Sequence, residues 1–211
     1  MSESAGGGKD GRGARRELDS MIQDAGVAPA AIARLLDALE DEIRAPVVRG
    51  LGRKAQKALY GKVQGYAPIC LIDLVPSNRP DLEEVRHLGR NSLPAFTIFE
   101  KRFCRLMGGA PDSPKELAGY NFQTLSPLTG PGYFIAVEDA NTKEVLVDYK
   151  RLPDQTPEEW PEVRSNETGL SRFVYGFMVD RLRRVSEQVS IGSAARNGRE
   201  LDSYFVLCRA D

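Results

Sequence analysis

His87 is the only histidine in the chain, and it stands in Glu83-Glu84-Val85-Arg86-His87-Leu88. One imidazole excludes a two-histidine metal site within a single copy, and any histidine-based triad must use this residue. Residues 81–88 read as a short helix stopped by Gly89, so His87 is expected to be a partly exposed helix residue paired with a neighbouring carboxylate. Cys70, Cys104 and Cys208 are widely spaced in apolar surroundings and odd in number. They read as buried reduced thiols, not as a disulfide framework or a thiolate metal site. Ser171 and Ser186 stand outside any Gly-x-Ser-x-Gly elbow, and the glycines form neither a dinucleotide fingerprint nor a phosphate loop, which speaks against nucleotide chemistry. Glu138, Asp139, Glu144 and Asp148 supply oxygen ligands suited to a hard cation, yet lack the glycine-spaced loop such sites use, so they read as a solvated hairpin face. The expectation is that no residue is catalytic and none binds metal.

Composition narrows the classes further. The chain has 211 residues, 41% of them hydrophobic, enough for one sizeable core with a helical region attached. Lysine and arginine number 29 against 30 acidic residues, so no global field draws nucleic acid or an anionic membrane. The basic runs at Lys101-Arg102 with Arg105 and at Arg181 with Arg183-Arg184 read as solvated helix faces. No stretch approaches the roughly 20 apolar residues of a membrane span, and the start has no signal-peptide core, so a cytoplasmic location is expected.

Four stretches must position any site. Residues 1–15, dense in glycine and small polar residues, read as a disordered tail. Residues 16–61 read as helical, with Ile32, Leu35, Leu36, Leu39 and Ile43 on one stripe, an interruption at Pro46, and a further helix through Val47, Val48, Leu51, Ala55 and Leu59. Residues 62–211 read as the main domain. It opens with Ala67–Pro76, either strand or helix, with a lean towards a helix or irregular segment. A helix from Ala95 to Met107 carries Phe96, Phe99 and Phe103, Gly108-Gly109 ends it, and Ser113-Pro114-Lys115-Glu116 caps a short helix to Gly119. Two hairpins follow. Gly132–Glu138 pairs with Glu144–Lys150, and Val189–Ala195 pairs with Leu201–Arg209 around Asn197-Gly198. Between them, Leu170 to Glu187 reads as a long amphipathic helix with Phe173 and Phe177 on its apolar face and Asp180 on the other. The expected class is α+β: amino-terminal helices, then helices packed on an antiparallel sheet built from two hairpins flanking that long helix.

The hairpin ending Val145-Leu-Val-Asp-Tyr-Lys150, the helix entered by Phe173-Val-Tyr-Gly176 and the closing hairpin with Phe205-Val-Leu207 resemble a bacterial ligand-binding superfamily. Its members include the vinyl-four-reductase small-molecule-binding domain, haem nitric-oxide-binding domains and the TRAPP-complex fold, and the resemblance spans roughly 125 residues. It implies an α+β sandwich with an apolar cavity between helix and sheet. Haem-binding members carry a histidine on the helix before the first hairpin and a Tyr-x-Ser-x-Arg clamp near its end. Phe96 to Met107 has no histidine and the clamp position reads Tyr149-Lys150-Arg151-Leu152-Pro153, so no haem or other cofactor is expected. The resemblance implies a non-enzymatic sensor or adaptor holding a small apolar ligand, lined by Phe96, Phe99, Phe103, Tyr133, Tyr149, Phe173 and Phe177; for any one of these an ordinary core position is the commoner reading. A homodimerising assembly module using the helices of residues 16–60, and a cavity enzyme using carboxylates and tyrosines, are the alternatives. Converging acid, tyrosine and basic side chains with shifted pKa values would favour the enzyme.

Overall fold

The computed structural model describes residues 11–94, 97–123, 130–167 and 171–210. The helical half of the expectation holds: α1 (Gly11–Gln23), α2 (Pro29–Asp37), α3 (Asp41–Arg49) and α4 (Arg53–Lys62) come first, and a one-turn α5 (Leu71–Leu74) follows. Residues 11–15, read as tail, belong to α1, where Ala14 is buried. Pro46 lies inside α3 and does not interrupt it; the helix expected from Pro29 to Arg44 is broken instead at Ala38–Glu40, and a second break comes at Gly50–Gly52.

The rest of the expected class is overturned. Strands β1 (Val85–Asn91), β2 (Ile98–Arg105), β3 (Leu117–Phe122), β4 (Phe134–Asp139), β5 (Glu144–Asp148), β6 (Met178–Arg184), β7 (Val189–Arg196) and β8 (Arg199–Ala210) close into an antiparallel barrel. Each strand pairs with the next in sequence and β8 returns to β1. The helix expected at 95–107 is strand β2, that at 81–88 leads into β1, and that at 113–119 gives way to β3. Of the long helix at 170–187, only a turn of α6 (Ser171–Val174) is helical, and β6 takes up its second half. No α+β sandwich forms. The two expected hairpins are present as β4–β5 and β7–β8. At the second turn Asn197 and Gly198 have φ of 50° and 75°, the paired positive angles a two-residue hairpin turn needs.

The mistaken helices have a common cause. Phe99 and Phe103 are four apart, a spacing that places residues on one face of a helix and equally on one face of a strand. The two inner faces of the barrel explain the pattern as strand. Phe99, Lys101 and Phe103 of β2 alternate with Glu100 and Arg102, and Met178, Asp180 and Leu182 of β6 alternate with Val179, Arg181 and Arg183. Glycines make room for the inward rings: a Cβ added at Gly119 would lie 2.3 Å from Phe134, and one at Gly192 would lie 2.2 Å from Phe205.

Among the described residues, three apolar clusters hold the fold. Inside the barrel, Phe103, Phe134, Val145, Val147, Leu182 and Leu207 pack against Ile69, Leu71, Leu74 and Val75, so the segment containing α5 plugs one end. Its Leu71 N–H donates to Glu138 Oε1 at 2.8 Å. Outside, α1–α4 cover Val189, Ile191, Val206 and Cys208 of β7 and β8. On a third side Trp160 packs over Tyr120, Tyr133, Cys104, Ala118 and Ile135. Among the described residues, no helix is long and apolar enough to cross a membrane.

Candidate functional site

An eight-stranded barrel has a lumen that side chains can fill or that can hold one small ligand. Here the plugged half is filled and the other half is hollow. The hollow half is a cavity of about 340 Å³ lined by Phe99, Lys101, Asn121, Tyr149, Tyr175, Met178, Asp180, Ala194 and Phe205, with Asn91, Leu93, Gln123, Val174 and Ser203 completing the wall.

Its polar members are built by strand register. Lys101 stands on β2 and Asp180 on β6, four strands away in either direction around the barrel, so the two side chains meet across the lumen. Lys101 Nζ lies 3.1 Å from Asp180 Oδ2, and their side chains are 2% and 3% exposed. The ammonium also donates to Asn121 Oδ1 at 3.0 Å and to the Tyr149 hydroxyl. Tyr149 in turn donates to Asp180 Oδ2 at 3.1 Å, and Asn121 Nδ2 donates to the Tyr149 oxygen at 3.0 Å. The rings of Phe134, Tyr149 and Phe205 surround the charge, with centroids 4.9, 4.9 and 5.0 Å from Nζ. Such faces stabilise a cation with little water around it. One atom of the network is left over: Asp180 Oδ1 is buried and has no hydrogen-bonding partner among the described residues.

Burial drives the titration of this group of residues. It lowers the pKa of Lys101 against the attraction of Asp180, raises that of Asp180 against the attraction of Lys101, and pushes the Tyr149 hydroxyl well above its ordinary range. In each case removal from water disfavours the charged form.

The candidate residues named from sequence separate. Phe99 and Tyr149 line the cavity. Phe103 lies deeper, in the filled half, edge-on to His87. Tyr133 points out of the barrel into the Trp160 cluster, and Phe177 is on the surface with φ of 60°, its ring beneath the Arg172 guanidinium. Phe96 and the side chain of Phe173 lie outside the described residues. His87 is not a partly exposed helix residue: it is buried on β1, its Nε2 2.9 Å from the Leu74 carbonyl oxygen of the plug. Cys104 is buried and its thiol is pushed up to about 12 by that burial, and Cys208 is buried too, while Cys70 is only partly so. Among the described residues no group of three potential ligands is placed to hold a metal. The acidic hairpin is occupied otherwise, Glu144 by Arg183 at 2.6 Å and Asp139 by Arg181 at 3.5 Å.

Lys101, Asp180, Asn121, Tyr175 and Phe205 escaped the sequence reading. A charged residue held between two large apolar ones at period two, as in Phe99-Glu-Lys101-Arg-Phe103 and Met178-Val-Asp180-Arg-Leu182, was the available signal. It becomes visible only once both segments are taken as strands.

The geometry defines a closed antiparallel barrel with a ligand-sized, mostly apolar cavity over a buried ion pair. The chain matches no protein-family model, no curated protein and no solved structure.

Proposed function

We propose that this barrel is a small-molecule-binding domain that holds an uncharged, largely apolar ligand in its hollow half. The observation that carries the reading is the contrast within one lumen: tight aromatic packing towards the plug, and a cavity of about 340 Å³ towards the other end, more than twice the roughly 150 Å³ that accommodates benzene. A concave, mostly apolar pocket of that size with a few convergent polar groups is the usual form of a small-molecule site. The rim suits an apolar visitor, since Leu93 and Val174 of the cavity wall are exposed. In this reading the domain serves as a sensor or adaptor whose occupancy a partner reads. The assembly alternative loses its support, because the apolar stripes of α1–α4 are spent on the chain's own barrel.

A cavity enzyme is the second reading, favoured by the meeting of Asp180, Tyr149 and Lys101 with shifted pKa values. It is the weaker one. The three ammonium hydrogens of Lys101 already have three acceptors, which leaves no lone pair aimed at a substrate. Protein purified from its own host should show a retained small molecule by native mass spectrometry. Ala194→Phe, which fills the cavity from its wall, should abolish retention while leaving the fold intact. Absence of any retained or added apolar ligand, in both proteins alike, would refute the binding reading.

A further inference from the structure

We infer that the Ser203 hydroxyl is the group that hydrogen-bonds the ligand, aimed into the cavity by a bulge of β8 that α4 holds in place, and that the ligand carries an uncharged oxygen group on its apolar body. This rests on the ligand-binding reading above and specifies how the site recognises its occupant.

β8 departs from regular pairing where it passes the cavity. Ser193 faces Tyr204 and Ala195 faces Glu200, so β8 bulges opposite Ala194, a residue of the cavity wall. Within the bulge Asp202 has φ of 48°, in the left-handed region that residues other than glycine seldom occupy. Bulges are frequent beside binding sites, where they re-aim side chains. Past this one the strand alternates: Ser203, Phe205 and Leu207 face the lumen, while Tyr204 meets Tyr60 of α4 and Val206 packs beneath the helices.

The bulge is held from outside the barrel. Arg53 of α4 donates to the Asp202 carbonyl oxygen at 3.1 Å and to its Oδ2 at 3.0 Å, Lys57 of α4 donates to Oδ1 at 2.6 Å, and the Tyr204 hydroxyl donates to Oδ1 at 3.1 Å. A sparsely populated backbone conformation persists where its surroundings over-determine it, and such residues gather at ligand sites. The other polar groups of the wall are differently placed. Lys101, Asn121, Tyr149 and Asp180 are buried and bond one another. Gln123 donates to the Tyr175 hydroxyl at 2.8 Å, and Asn91 Oδ1 accepts from the Leu93 N–H at 3.0 Å. Ser203 is only partly buried, so a molecule in the cavity reaches it. A serine hydroxyl both donates and accepts, and therefore serves a carbonyl or a hydroxyl on the ligand. A charged group finds no counterpart, because Lys101 and Asp180 are the charged residues of the wall and neutralise each other at 3.1 Å.

Calorimetric titration of the full chain with two matched pairs of compounds tests this: 4-methylacetophenone against 4-isopropenyltoluene, and 4-methylphenol against 1,4-dimethylbenzene. Within each pair a carbon group of similar shape replaces the oxygen group. In Ser203→Ala the two oxygen-bearing compounds should bind about fivefold more weakly than to the unaltered chain, the worth of one neutral hydrogen bond, and the two hydrocarbons should bind as before. Asp202→Ala, which removes the clamped carboxylate and disfavours the positive φ, should lose the same selectivity. Asp202→Asn, which keeps an oxygen acceptor and tolerates that φ, should retain it. A Ser203→Ala variant that weakens oxygen-bearing compounds and hydrocarbons alike, or neither, would overturn the hydroxyl assignment and leave the ligand-binding reading standing. Asp202→Ala with the selectivity of the unaltered chain would overturn the role of the bulge. Binding of none of the four compounds to the unaltered chain would overturn the assignment together with the reading it rests on.

Discussion

Lys101 and Asp180 join opposite walls of the barrel, and their worth lies in being together. Removing one partner of a buried pair strands the other charge away from water, at about 3–5 kcal/mol, whereas replacing both by apolar side chains is often neutral. Lys101→Met should therefore lower the urea midpoint by an amount corresponding to that range, and Lys101→Met with Asp180→Leu should recover most of the loss. The single variant should also show a pH signature. Asp180 has a folded-state pKa raised by burial, so the native state binds more protons than the unfolded one. Its favourable contribution is complete below the unfolded carboxylate pKa and is lost as pH rises through the folded value. The deficit of Lys101→Met should accordingly shrink on acidification. A single variant as stable as wild type, with a flat pH profile, would mean that the two charges do not meet across the lumen.

The elements divide according to how local their signals are. The β7–β8 hairpin was legible because its turn is specified by neighbours: Asn197 and Gly198 supply both positive φ angles themselves. Replacing Gly198 with Val should cost about 1 kcal/mol or more, since no side chain crowds the site and the penalty is that of forcing a β-branched residue into a left-handed conformation. An unchanged melting temperature would contradict the turn geometry. β2 and β6 were illegible for the opposite reason. Their apolar residues recur at a spacing shared by both periods, and their inward charges were assigned to a solvated helix face. Nothing within either segment shows that Lys101 has an acid waiting for it some eighty residues further on.

For the molecule as a whole, α1–α4 and the barrel share one core through Val189, Ile191, Val206 and Cys208, so the helices and the barrel should unfold together. The single tryptophan, Trp160, reports on a different flank, over Tyr120 and Tyr133. Its fluorescence and the helical circular dichroism signal should follow one coincident transition in urea; two separated midpoints would show that the helices are an independent unit. By itself the sequence determined what neighbouring residues decide: the amino-terminal helices from their stripes, the two hairpins from their turns, the apolar settings of Cys104 and Cys208, and the lack of motifs for nucleotide chemistry. Of the aromatic candidates, Phe99 and Tyr149 proved to be cavity residues, but nothing in their own neighbourhoods distinguishes them from Phe103, which is plain core. Closure of the barrel, the plug and the cavity were decided only by tertiary structure. Strand partners and inward faces are set by pairing between distant segments, and a buried charge is tolerable only where the fold brings its counter-charge to it.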